Sequence, residues 1–140
     1  MRFWESSALV ALVVEQRTSA QVRALEQEGV EAVAWVLSDV EVRSAIERLA
    51  REGTLTPEQA RRDAQDSETV FRRLRTIDLI DAVKLRAKRL LARHALRAAD
   101  ALQLGAALLV ADDNPESLEF VTLDERLAEA ARREGFRILP

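Results

Sequence analysis

"LEFVTLDERLAEAARREGFRIL" (118–139) packs a strand, a helix and a second strand into one short span. Leu118 to Leu123 is a bounded apolar run, which predicts a strand. "DERLAEAARREG" predicts a helix ended by Gly135, and "FRIL" (136–139) a last strand. The alternation extends back through the chain. Arg2–Trp4 predicts a short strand, with Ser6 or Ser7 capping a helix through Val14. A second amphipathic segment runs from about Thr18 to Glu28. "EAVAWVLS" (31–38) predicts a buried strand. "SDVEVRSAIERLAREG" predicts a helix with Val42, Ala45, Ile46, Leu49 and Ala50 on one face and Gly53 at C′. "TPEQ" (56–59) has a helix-start signature, Thr56 as N-cap and Gln59 at N3, for a long helix reaching Arg75. Another helix follows, with Ile77, Ile80, Val83, Ala87, Leu90 and Leu91 at helical spacing. "RAADALQLGAALLV" (97–110) predicts a nearly all-apolar, central helix. Alternating strands and helices imply an α/β fold with a mainly parallel sheet covered on both faces.

The 140 residues suit one domain over 1–140, and an apolar fraction of 48% supplies a real core. The chain has no cysteine and a single histidine, His94. Disulfides, thiolate metal sites and a Ser-His-Asp triad are thus excluded or starved of material, and any metal must be a hard ion on oxygen ligands. The apolar run after Glu5 is too short to span a bilayer and follows no basic region, so a cytoplasmic protein with no membrane partner is expected. Net charge is −3, yet residues 61–100 carry eleven basic and six acidic side chains. The basic zone 61–97 is either a set of solvated helix faces or a contact surface for phosphates.

Four carboxylates stand out by position. Glu5 follows the first strand, Glu41 opens the helix after the second, Asp124 follows the strand at 118–123, and Asp100 sits among alanines and leucines of the apolar helix. Ligands of open α/β sheets bind beyond the carboxyl ends of the strands. Each residue also has a plain structural role open to it. Glu5 fits an exposed turn, and Glu41 a capping box with Ser38. Asp124 fits a helix start with Thr122 as N-cap and Glu125 at N3. Asp100 fits an ion pair with Arg97. As a group the four are more specific, because clustered carboxylates repel unless a cation neutralises them. With hard oxygen ligands that cation is Mg²⁺ or Mn²⁺, and the accompanying chemistry is metal-assisted hydrolysis or phosphoryl transfer. The basic zone points to nucleic acid among phosphate substrates. A phosphatase or receiver-like domain also places carboxylates at strand ends, but Glu5 sits badly for an aspartyl nucleophile. Trp4 and Trp35 read as core, and His94 as a helix-end residue.

"FWESSALVALVVEQ", "VLSDVEVRSAIERLAREGTLT", "ARHALRAADALQLGAAL" and "LEFVTLDERLAEAARREGFRIL" resemble, in order and spacing, the successive motifs of PIN-domain ribonucleases, most closely the VapC-type toxins of bacterial toxin–antitoxin pairs. The resemblance covers nearly the whole chain. It implies a three-layer α/β/α fold, a carboxylate site for Mg²⁺ or Mn²⁺, cleavage of RNA, a homodimer and a small VapB-type antitoxin. It assigns the acidic set to Glu5, Glu41, Asp100 and Asp124, the small hydroxyl beside the first acid to Ser6, and the hydroxyl before the last acid to Thr122. One departure is that the family usually has aspartate where this chain has Glu5, whose carboxylate lies one methylene further out. Two outcomes are therefore framed: a working endoribonuclease, or a PIN-like module that binds RNA or an antitoxin without efficient cleavage. The apolar faces of 18–28 and 56–75 are candidate dimer or antitoxin surfaces.

Overall fold

Period-two alternation along each strand sorts the core into two layers. In the computed structural model, which describes residues 1–140, five strands are β1 (Arg2–Trp4), β2 (Ala32–Trp35), β3 (Arg75–Ile77), β4 (Glu119–Val121) and β5 (Arg137–Leu139). They form one sheet in the order β3-β2-β1-β4-β5, with every pairing parallel. Phe3, Val33, Trp35, Phe120 and Ile138 point to one face. Trp4, Ala32, Ala34, Val121 and Leu139 point to the other. Successive side chains of a strand must do this.

The helices divide accordingly. Helices α1 (Ser6–Val13), α2 (Ser19–Gln27), α3 (Ser38–Arg51) and α4 (Pro57–Arg73) cover the Trp4 face. Helices α5 (Ile80–Arg93), α6 (Ala98–Val110) and α7 (Glu125–Glu134) cover the Phe3 face. The result is the three-layer α/β/α arrangement. On the second face Phe3 stacks on Phe120 with ring centroids 5.5 Å apart. Trp4 and Trp35 are both core residues, as expected.

Helix α6 is central, and Gly105 is what lets it approach α5. A Cβ there would stand 3.0 Å from the Val83 carbonyl oxygen and 3.1 Å from the Ala87 nitrogen. Those are backbone atoms, so they cannot swing aside.

Of the boundaries that differ from expectation, three change an assignment. Helix α4 stops at Arg73 rather than Arg75, and Ile77 belongs to the edge strand β3 instead of the next helix. Strand β3 is three residues long and largely exposed, so it has neither the length nor the alternation that marks a strand in sequence. Helix α1 is capped by Glu5 itself, not by Ser6 or Ser7. No helix is long and apolar enough to cross a membrane.

Candidate active site

Strand order reverses between β1 and β4, and the helices that follow them leave to opposite faces of the sheet. The carboxyl edge between two such connections is the usual ligand site of an open α/β sheet. Glu5 enters it directly from β1.

Glu5 is buried, at 5% exposure. Its Oε2 accepts from the Ser7 backbone N–H at 3.0 Å, from the Thr122 hydroxyl at 2.8 Å and from the Ser7 hydroxyl. Each of those hydroxyls is also held by a backbone donor. Ser7 Oγ also accepts from the Leu123 N–H at 2.8 Å, and Thr122 Oγ1 from the Asp124 N–H at 3.1 Å, so each directs its own proton to the carboxylate. Oε1 of Glu5 receives no hydrogen bond from the protein. Burial pushes the Glu5 carboxyl above the usual carboxylate range; the Ser7 and Thr122 bonds pull it back, and the charge of Glu41 adds to the rise.

Glu41 comes from the first turns of α3. Its Oε1 accepts from Gln103 Nε2 at 3.1 Å. Burial raises its carboxyl too, opposed by Gln103 and Ser6 and reinforced by the charge of Asp100. The capping box with Ser38 does not form. Helix α3 starts one residue earlier than that motif requires, with Leu37 as N-cap. Glu41 therefore falls at N4 and turns to Gln103.

Asp100 is half-buried on the first turn of α6. Its Oδ2 accepts from the Arg97 backbone N–H at 3.3 Å. The Arg97 guanidinium forms no ion pair with it, so the expected pairing is replaced by a backbone bond. Asp124 is the N-cap of α7, its Oδ1 accepting from the Leu127 N–H at 3.0 Å. Thr122 is thus not the cap; its hydroxyl serves Glu5 instead.

Glu5, Glu41 and Asp100 form an electrostatically coupled series, with Asp124 at the adjoining helix start. No ion pair in the chain involves any of the four. The basic zone does not neutralise them. Arg75, Lys84, Arg86 and Arg93 are tied to other acids, and the zone's remaining cations are exposed. A buried carboxylate without a cationic partner is the chemistry that a hard dication completes. The donors are all oxygen, and Glu5, Asp100 and Asp124 each retain one carboxylate oxygen free of protein hydrogen bonds. The donor set fits Mg²⁺ or Mn²⁺ in kind. As positioned, no three acidic side chains stand close enough together to hold an ion by themselves.

A model of the family described as "PIN domain" matches residues 3–133. The chain belongs to the PIN-domain family. Two curated relatives from Mycobacterium tuberculosis strains, Ribonuclease VapC45 and Ribonuclease VapC49, are each 32% identical to it over 138 residues, covering 99% of this chain and 94% of the relative. The crystal structure of FitAcB from Neisseria gonorrhoeae superposes with a TM-score of 0.68 at 14% identity, covering 100% of this chain and 97% of that one. That likeness bears on the fold.

Three polar residues of this PIN site escape a reading of the sequence. Ser7, not Ser6, serves Glu5. Ser6 is buried and accepts from Gln103 Nε2 at 2.6 Å. Ser38, read as a cap, is fully buried and accepts from the same nitrogen at 2.9 Å. Gln103 is the third, and it had a legible signal: it lies three residues after Asp100, one of two polar side chains in the apolar helix.

Proposed function

We propose that this chain is a metal-dependent endoribonuclease, the toxin of a VapBC-type pair, acting as a single PIN-like domain over residues 1–140. The observation that carries this is that Glu5, Glu41 and Asp100 are buried or half-buried and in no ion pair, in a chain whose curated relatives are named ribonucleases. Glu5, Glu41 and Asp100 would hold Mg²⁺ or Mn²⁺, with Asp124 completing the site. When bound, the ion supplies Lewis acidity toward the phosphodiester and lowers the pKa of water.

The chain's own residues prepare that chemistry. Ser7 and Thr122 hold one oxygen of Glu5 and leave the other for a ligand. Gln103 and Ser6 keep Glu41 beside it. Asp100 and Asp124 are fixed by the starts of α6 and α7, which costs no reorganisation when substrate arrives. Arginines of the basic zone 61–97 that are free of acids, Arg97 among them, contact the RNA backbone.

The protein acts in the cytoplasm, as a homodimer silenced by a small VapB-type antitoxin. A groove of about 360 Å³ between α3 and α4, lined by Val40, Ala64 and Phe71 among charged residues, lies on the 56–75 face and suits an amphipathic helix of that partner.

The test is cleavage of a defined RNA panel with Mg²⁺ or Mn²⁺ beside an Asp100→Asn control. Metal-dependent cutting that Asp100→Asn abolishes is expected. Cutting that persists unchanged in the control would remove this site from the reaction, and no cutting by any form, Glu5→Asp included, would remove the activity.

A further inference from the structure

Gln103 is 1% exposed and lies in the middle of an otherwise apolar stretch of α6. Its Nε2 stands 2.6 Å from Ser6 Oγ, 2.9 Å from Ser38 Oγ and 3.1 Å from Glu41 Oε1. These acceptors come from α1 and α3, so a single amide nitrogen joins three helices. It has two protons for three acceptors. Its Oε1 is buried with no partner at all.

That orphan oxygen is informative because the amide has an alternative. Turned over, Oε1 would accept from the Ser38 hydroxyl, which carries a proton to give, while the Ser6 hydroxyl serves Glu41. The amide oxygen would then face the Glu41 carboxylate, acceptor against acceptor. The observed orientation leaves a buried acceptor unsatisfied and keeps a donor on Glu41. Buried polar atoms are nearly always paired, and an exception calls for a reason. An apolar residue of similar volume would avoid the orphan and suit the surrounding core. Such a residue would lose the donor to Glu41 along with those to the Ser6 and Ser38 hydroxyls.

We propose that Gln103 is a positioning residue for Glu41, an amide that clamps Glu41 against Ser6 and Ser38 so that its carboxylate stays in register with Glu5 for a shared dication. This rests on the nuclease reading for the identity of the reaction, but its own content is the placement of Glu41. Supporting groups around metal ligands typically change metal affinity ten- to a hundredfold when removed.

The experiment is calorimetric titration of Mn²⁺ into metal-free wild type, Gln103→Leu and Gln103→Met, with RNA affinity measured in EDTA and thermal unfolding followed by circular dichroism. The proposal expects both variants to fold, to bind RNA in EDTA as wild type does, and to bind Mn²⁺ at least about tenfold more weakly. Gln103→Glu, which sets a carboxylate oxygen against Glu41, should fare no better in RNA cleavage than Gln103→Leu. Folded variants with wild-type Mn²⁺ affinity would overturn the proposal. So would loss of the folded state in both Leu and Met variants, which would assign the amide to the core alone. Weakened Mn²⁺ binding in a wild-type background that cuts no RNA would refute the nuclease reading and leave Gln103 in its role.

Discussion

Two buried charges sit three residues apart at opposite ends of β1, and the chain treats them in opposite ways. Arg2, at 6% exposure, donates to Glu119 at 2.6 Å, to Glu28 at 2.6 Å and to the Leu25 carbonyl at 2.9 Å. Its charge is compensated by two acids from different layers, and the group staples β1 to β4 and to the end of α2. Glu5, at 5% exposure, accepts only from neutral donors and has one repelling carboxylate, Glu41, nearby. Burying a charge with its partners is a structural arrangement, whereas burying one beside like charges lowers stability and persists when something else is gained. The amino edge of the sheet is built for stability and the carboxyl edge for a ligand.

The contrast breaks most sharply in activity. Asp100→Asn or Glu5→Gln should lower metal-dependent RNA cleavage by at least about a hundredfold, since several kcal/mol of charge stabilisation is lost. Arg2→Leu should leave the catalytic rate of folded protein near wild type. That same Arg2→Leu should lower unfolding free energy by about 2 kcal/mol, because Glu28 loses its cation and Glu119 keeps only Arg137, as read from urea denaturation.

Glu5→Gln should do the reverse in metal-free protein. The neutral isostere can still accept from Ser7 and Thr122, and it removes the repulsion with Glu41. The sign follows from proton binding. Glu5 has a raised pKa in the folded state, so the folded protein binds more protons there than the unfolded chain. This contribution to wild-type stability is present below the ordinary glutamate value of 4.5 and is lost as pH rises through the folded pKa. The melting temperature of Glu5→Gln should thus exceed that of metal-free wild type at neutral pH, with the gap closing as pH falls toward 4.5. A constant gap, or a lower melting point for the variant, would show Glu5 to be another Arg2.

The smallest expected effect is that of the hydroxyls. Thr122→Val should cost about 1 kcal/mol and move the Glu5 carboxyl still higher in pH, because it deletes a bond that favours the charged form. Carboxyl ¹³C titration of metal-free protein reads that shift.

Most of the layer structure was legible because it depends on periodicity. The apolar runs at 31–38, 97–110 and 118–123 each land in the core, and Gly135 ends α7 in a left-handed conformation. Strand β3 was not legible, since an exposed edge strand of three residues needs little apolar pattern. The four carboxylates could be found by their places after strands and inside an apolar helix. Their supporting groups could not, because Ser7, Ser38 and Gln103 approach through side chains from helices far apart in sequence. Local cap rules assigned Ser38 and Thr122 to helix ends. The fold uses them to bind Gln103 and Glu5 instead, and it is the shift of a helix start by one residue that frees Glu41.

The claim that the carboxyl edge of β1 awaits a cation is tested most directly by calorimetric titration of Mn²⁺ into metal-free wild type and Glu5→Gln at neutral pH. Wild type should bind the ion, and Glu5→Gln should bind it at least about tenfold more weakly. Equal affinity in the two proteins, or no binding by wild type, would contradict the account.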